Sequence, residues 1–313
     1  MAQTFLDYNG QVDKLANEKG LIIADREYAI DMLTRISYFS LIGGYKNIFI
    51  NPTMNKYKRG VKFEDIVSLY HYDEELRSLF LKYILKFERK LHSVISYQFT
   101  DTYGENQSYY LDVNNFDYIP ANEQGINRLV NMLNKLATQQ SDYEYINYHR
   151  TKYSNVPLWV LINALSLGAV SKFYQFSKPS MQTKICKDFE NLNEKQLEQI
   201  LSVMTKFRNV CAHGERLFTY RTKDCIGDLL LHNKLSIPKR GIQYIYGKND
   251  LFGVVVSLRY VLNKVEFLEF KNQLSKLIDK LLNEATCLSE SDILKNMGFP
   301  SNWKKISSFR KLS

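Results

Sequence analysis

Only six prolines and 14 glycines punctuate the 313 residues. A turn-rich β fold uses far more of both, so the shortage favours long helices. Cysteine is scarce too: Cys186, Cys211, Cys225 and Cys287 are scattered, with no C-x-x-C spacing. That excludes a zinc ribbon or a disulfide scaffold and leads us to expect reduced thiols in a cytoplasmic protein. No secretory apolar core stands near Met1, and no apolar run approaches the ~20 residues that span a bilayer. Residues 251–258 come nearest and are short. H-E-x-x-H, a Walker loop and G-x-S-x-G are also missing, which removes zinc proteases, P-loop enzymes and α/β-hydrolases from consideration. The expectation is a chain without metal, cofactor or membrane partner.

What the chain has is apolar mass, aromatics and positive charge. Hydrophobic residues make up 45%, with 22 Tyr and 18 Phe, enough to build a core. The formal charge of +9 suits a polyanion such as nucleic acid. Apolar positions recur at threes and fours over residues 63–99 (Leu69, Tyr72, Leu76, Phe80, Tyr83, Phe87, Leu91), again over 122–137, and from Pro157 to Tyr174 as one helix. Asp25 is placed to cap a helix through Ile36, with Gly43 and Gly44 ending it. Residues 251–262 and 267–282 read as helices, and 234–247 as a short hairpin around Pro238 and Gly241. The fold class is therefore mainly α: a helical bundle with long helices and at most a small β-hairpin. We expect one domain, 1–313, with an N-terminal lobe to about residue 120 packed on the remainder.

The stretch richest in chemistry is Lys206-Phe207-Arg208-Asn209-Val210-Cys211-Ala212-His213-Gly214. Leu197, Ile200, Leu201, Met204, Phe207 and Cys211 place it on an amphipathic helix, and Gly214 is a stop signal. His213 then falls in the last turn, beside carbonyl dipoles that favour positive charge. Asn209 and His213, four apart, share a face. Arg208 and His213, five apart, are separated by about 140° and ~7.5 Å, so both long side chains can still lean into one cleft. Further along the chain, Lys56, Lys58 and Arg59 are interleaved with Tyr57 in a 46–60 loop, a mixture able to contact phosphates and bases. Asp73 and Arg77 are spaced to pair along a helix surface. Arg77 and Glu88 share a face as an ion pair or a cleft lining. His149 is expected to pack or cap.

Arg208 to His213 has the R-x4-H form of the HEPN ribonuclease motif, and its R-N-x-x-A-H variant resembles the Abi family of bacterial abortive-infection proteins (the AbiD/AbiF type). Other blocks resemble that family in order: residues 35–45 with their Tyr-rich turn, 69–77, 87–92, 166–171, 216–221 and 297–303. His92 stands where the family usually carries Arg. The resemblance implies a HEPN-like bundle and a metal-independent endoribonuclease toxin of an anti-phage system, working as a homodimer. Some relatives are held by a small RNA encoded beside them.

In that reading Arg208 and His213 are catalytic, and Asn209 orients the imidazole or binds a phosphate oxygen. Lys206, Arg216, Arg221, Lys56, Lys58 and Arg59 contact RNA. His213 supplies an acid or a base, and Arg208 a planar fork for phosphate oxygens. The reaction wants both acid and base while each chain has one motif, so two motifs facing across a homodimer would complete the set. The alternative is a non-catalytic RNA-binding or scaffold protein in which Arg208 and His213 brace the helix packing.

Overall fold

The computed structural model describes residues 5–309. The ends of the expected 1–313 unit, including the first four residues of its polar leading segment, lie outside the described residues. The fold is mainly helical, with two small antiparallel strand pairs.

Helix α1 (Arg26–Ile36) starts where Asp25 accepts a hydrogen bond from the Tyr28 N–H at 2.9 Å. It ends earlier than the two glycines suggested. Ser37, at φ 73°, stops it, and the chain then makes a π turn over Phe39–Gly43. The expected 46–60 loop holds a hairpin, β1 (Ile50–Asn51) against β2 (Lys56–Tyr57), in the register Ile50 to Tyr57 and Asn51 to Lys56.

Helix α2 (Phe63–Tyr103) is the axis of the molecule. Its 41 residues contain no proline or glycine and span roughly 60 Å. Leu69, Tyr72, Leu76, Phe80, Tyr83, Phe87, Leu91 and Ile95 are all buried along it. After it come α3 (Glu123–Thr138), α4 (Glu144–Tyr153) and α5 (Leu167–Phe176). The expected single helix from Pro157 to Tyr174 is broken. A short turn, Leu158–Leu161, tightens to 3₁₀ over Ile162–Ala164, Leu165 is extended, and Ser166 caps α5 by accepting from the Ala169 N–H. Gly168 thus lies in the first turn of α5. A methyl group there would sit 3.3 Å from Thr205 Cγ2, so its smallness lets α5 cross closely over α6 (Glu194–Ala212).

Helix α6 runs antiparallel to α2. Just before its start, Phe189 packs on Phe87, and just past its end Leu217 and Phe218 reach Asp73. Next comes the hairpin β3 (Lys239–Arg240) and β4 (Gln243–Tyr244), turned by Gly241 at φ +61° as expected. Helices α7 (Leu251–Val261), α8 (Lys264–Glu284) and α9 (Glu290–Met297) complete the packing. One apolar core extends from Val12 to Ile306. No helix among the described residues is long and apolar enough to cross a membrane.

Helix α9 stops at Gly298, φ +81°, directly against the buried Asp250 that caps α7. Gly298→Ala combines a disfavoured backbone angle with a clash on that carboxylate. It should lower unfolding free energy by about 2 kcal/mol or more. Gly44→Ala, which meets nothing within 4 Å, should be nearly neutral in the same urea titration.

Candidate functional site

Helix α6 is anchored at its start by a capping box, with Asn193 accepting from the Gln196 N–H at 2.8 Å and Gln196 accepting from the Asn193 N–H at 3.0 Å. Leu197, Ile200, Leu201, Met204, Phe207 and Cys211 fill its buried face. It closes with a Schellman turn. His213 is the C-cap, Gly214 follows at φ +70°, and the Glu215 N–H donates back to the Val210 carbonyl at 3.1 Å.

The chain leaving this turn is drawn onto α2. Asp73, fully buried, accepts from the Leu217 N–H (3.0 Å), the Phe218 N–H (2.7 Å), the Tyr45 hydroxyl (2.6 Å) and Arg77 Nη1 (3.0 Å). Arg77 also reaches the Glu215 carbonyl at 3.5 Å, and Arg216 donates to the Gly44 carbonyl. The Asp73–Arg77 pair is therefore internal, not the surface pair its spacing suggested. Its other partners arrive from elsewhere in the chain and close over it. Burial pushes the Asp73 carboxyl upward while the Tyr45 hydroxyl, Arg77 and the two backbone donors pull it back.

Arg77 and Glu88, expected on one face, serve different partners. Glu88 Oε2 lies 3.7 Å from Arg208 Nε, a separation that allows ion pairing but not a hydrogen bond. The Glu88 side chain is 7% exposed and that of Arg208 28%. Burial raises the Glu88 carboxyl, opposed by Arg208 and by the Leu167 backbone at the start of α5. One turn along α2, His92 is buried with Nε2 unpartnered, and burial pushes its pKa down to about 4.

Asn209 and His213 are exposed, and neither side chain makes a hydrogen bond among the described residues. Of the two roles expected for Asn209, the bond to the imidazole is not formed in this structure. Cys211, two residues from His213, is buried and its thiol is pushed up to about 12, so it stays protonated and is no nucleophile near neutral pH.

The cations near the motif have protein partners. Lys206 pairs with Asp224, which also accepts from Ser202, and Arg221 donates to the Tyr220 and Asn296 carbonyls. Lys206, Arg208, Asn209, His213, Arg216 and Arg221 all lie on α6 or within its outgoing turn and loop. Lys56, Lys58 and Arg59 belong to another segment: Lys56 lies in β2, and Lys58 and Arg59 follow it, ahead of the start of α2. Lys58 donates to the Ile48 carbonyl at 2.9 Å, and Tyr57 is only 7% exposed. A buried ring cannot stack on a base, so the expected aromatic contact is absent from this hairpin.

Among the described residues no group of three or more His, Cys, Asp or Glu side chains is placed to share a metal ion. Two positioning groups escaped the sequence reading: Glu88 as the partner of Arg208, and Asp73 as the clamp on the outgoing turn. The available signal was a carboxylate on an otherwise apolar helical face, since a buried charge must find a partner. The profile of the family described as Abi-like protein matches residues 31–219, more than half of the chain. No curated protein and no solved structure matches.

Removing the Asp73 carboxylate strands Arg77 and two buried N–H groups. Asp73→Ala should lose about 3–5 kcal/mol in urea unfolding, or fail to fold. His92 gives a pH signature. Its folded pKa, about 4, lies below the ordinary 6.5, so the folded form binds fewer protons in between. This contribution to stability is complete above pH 6.5 and lost as pH falls toward 4, by up to about 3 kcal/mol. Unfolding free energy measured at pH 7 and pH 4 should fall less in His92→Gln than in the wild type.

Proposed function

We propose that this chain, which belongs to the Abi-like protein family, is an endoribonuclease of abortive infection whose catalytic groups are His213 and Arg208. Family membership supports the role in phage defence. The observation that carries the chemistry is the contrast between two side chains on one helix: an exposed imidazole with no partner, and a half-buried guanidinium oriented by Glu88.

The reaction is transesterification. A base takes the proton of a ribose 2′-OH, and that oxygen attacks the adjacent phosphorus. The bond to the 5′-oxygen breaks as an acid protonates it, leaving a 2′,3′-cyclic phosphate and a 5′-OH. His213 serves as base or acid. Arg208 offers its planar fork to the non-bridging oxygens as charge builds on the phosphorane. Asn209, exposed one turn before His213, is available for a phosphate oxygen. Each chain supplies one imidazole, so two chains facing each other across α6 would provide acid and base together.

A specific observation favours a second reading. The Arg208–Glu88 pair ties α6 to α2, so Arg208 can act as a brace in a non-catalytic RNA-binding protein. The two readings part on variants. His213→Ala and Arg208→Ala should each reduce RNA cleavage by about 10²- to 10⁴-fold and abolish toxicity. Circular dichroism and RNA affinity should stay near wild type, and the wild-type products should carry cyclic phosphate ends. Unaltered cleavage in His213→Ala, or loss of folding in step with loss of activity in both variants, would overturn the catalytic reading.

A further inference from the structure

The exposed mixture of aromatic and basic groups expected near Tyr57 is found instead on α4. Of the ten residues of this helix only Ile146 is buried. Tyr148 and Tyr153 are 51% and 55% exposed. Their ring centroids lie 6.0 Å apart, and the His149 ring completes a triangle with them at 5.7 and 5.3 Å. Lys152 Nζ lies 5.1 and 5.3 Å from the two tyrosine ring centroids and 2.6 Å from the Tyr148 hydroxyl. Arg150 is held by the Gln139 carbonyl, by Asn147 Oδ1 (2.6 Å) and by Gln140 Oε1 (3.2 Å). All three acceptors are neutral, so the guanidinium is oriented without being neutralised. Glu144 lies at the opposite end of the helix, some 12 Å from Lys152 along the axis, and among the described residues no carboxylate pairs with Lys152 or Arg150.

A peptide-docking face would present an apolar groove. Here there are phenol and imidazole faces beside two uncompensated cations, matching the two parts of an unpaired nucleotide, base and phosphate. The end of α4 is tied to the chain just beyond α2: Asn155 accepts from the Gln107 N–H at 2.8 Å and donates to the Glu105 carbonyl at 3.2 Å. Glu88 to Tyr103 is about 22 Å of helix axis, so this cluster is distinct from the Arg208 site.

We propose that Tyr148, His149 and Tyr153, flanked by Lys152 and Arg150, form a docking platform for unpaired nucleotides of RNA. The choice of RNA rests on the ribonuclease reading above. The rings stack on bases and the cations meet the backbone, so the platform prefers single strands to duplex.

The test uses the full chain and a fluorescein-labelled, 2′-O-methyl oligoribonucleotide of roughly 12 residues, which cannot undergo transesterification. Tyr148→Ala/Tyr153→Ala should weaken single-strand binding by about tenfold or more, while Tyr148→Phe/Tyr153→Phe stays within about twofold because its faces still stack. Both residues are more than half exposed, and the Phe pair controls for folding. Binding of a blunt duplex of the same sequence should be alike in all three proteins. Unchanged single-strand affinity in the Ala pair overturns the platform and leaves the tyrosines to a protein partner. Equal losses on strand and duplex overturn it as well. Cleavage, measured separately, keeps the two readings apart. If His213→Ala cuts like wild type while the Ala pair loses binding, the ribonuclease reading fails and the platform stands. If His213→Ala is inactive while the Ala pair binds normally, the platform alone fails.

Discussion

The turn that carries His213 depends on one buried carboxylate. Asp73 gathers four donors from three places in the chain: the Tyr45 hydroxyl, the Arg77 guanidinium and the backbone N–H groups of the adjacent Leu217 and Phe218. Hydrogen bonds to a charged group contribute roughly 1.5–3 kcal/mol each, and without them the buried charge would cost several. The geometric result matters more than the energy. With Leu217 and Phe218 fixed on α2, the four residues from His213 to Arg216 have little freedom, and the Schellman turn at Gly214 sets the direction in which they leave the helix. The imidazole is thereby held at the surface by interactions to which it contributes nothing.

Arg208 is treated differently. It leans on Glu88 at a distance too long for a hydrogen bond, leaving both Nε and Oε2 unsatisfied. The carboxylate steers the cation without saturating it. The two members of the motif thus divide the work along one helix, one oriented by charge and one left open to solvent.

Much of the fold was legible because helical periodicity is written in apolar residues. The stripe from Leu69 to Leu91, the cap at Asp25 and the turn at Gly241 all followed from local pattern. What escaped depended on partners distant in sequence. The spacing of Asp73 and Arg77 is that of a surface pair, and only the arrival of Tyr45, Leu217 and Phe218 makes it internal. Arg77 and Glu88 share a helix, but each finds its counterpart elsewhere. The cap at Ser166 was a local signal passed over in favour of a continuous apolar run. Tyr57 and Tyr148 look equivalent in sequence, each with Lys nearby, yet one is sealed by the core and the other is open. Exposure, which separates them, is a property of the assembled chain.

The uninterrupted α2 has a mechanical consequence. A helix of this length with no proline or glycine has no built-in hinge. It carries Asp73, Arg77, Glu88 and His92 along its own length, with the β1–β2 hairpin at one end and the tie to α4 at the other. It therefore works as a fixed calliper: the gap between the Arg208–Glu88 pair and the tyrosine-bearing helix is set by the number of turns between them. If the two proposed sites engage one RNA, a strand too short to bridge that gap reaches one but not both, and length becomes a criterion of selection.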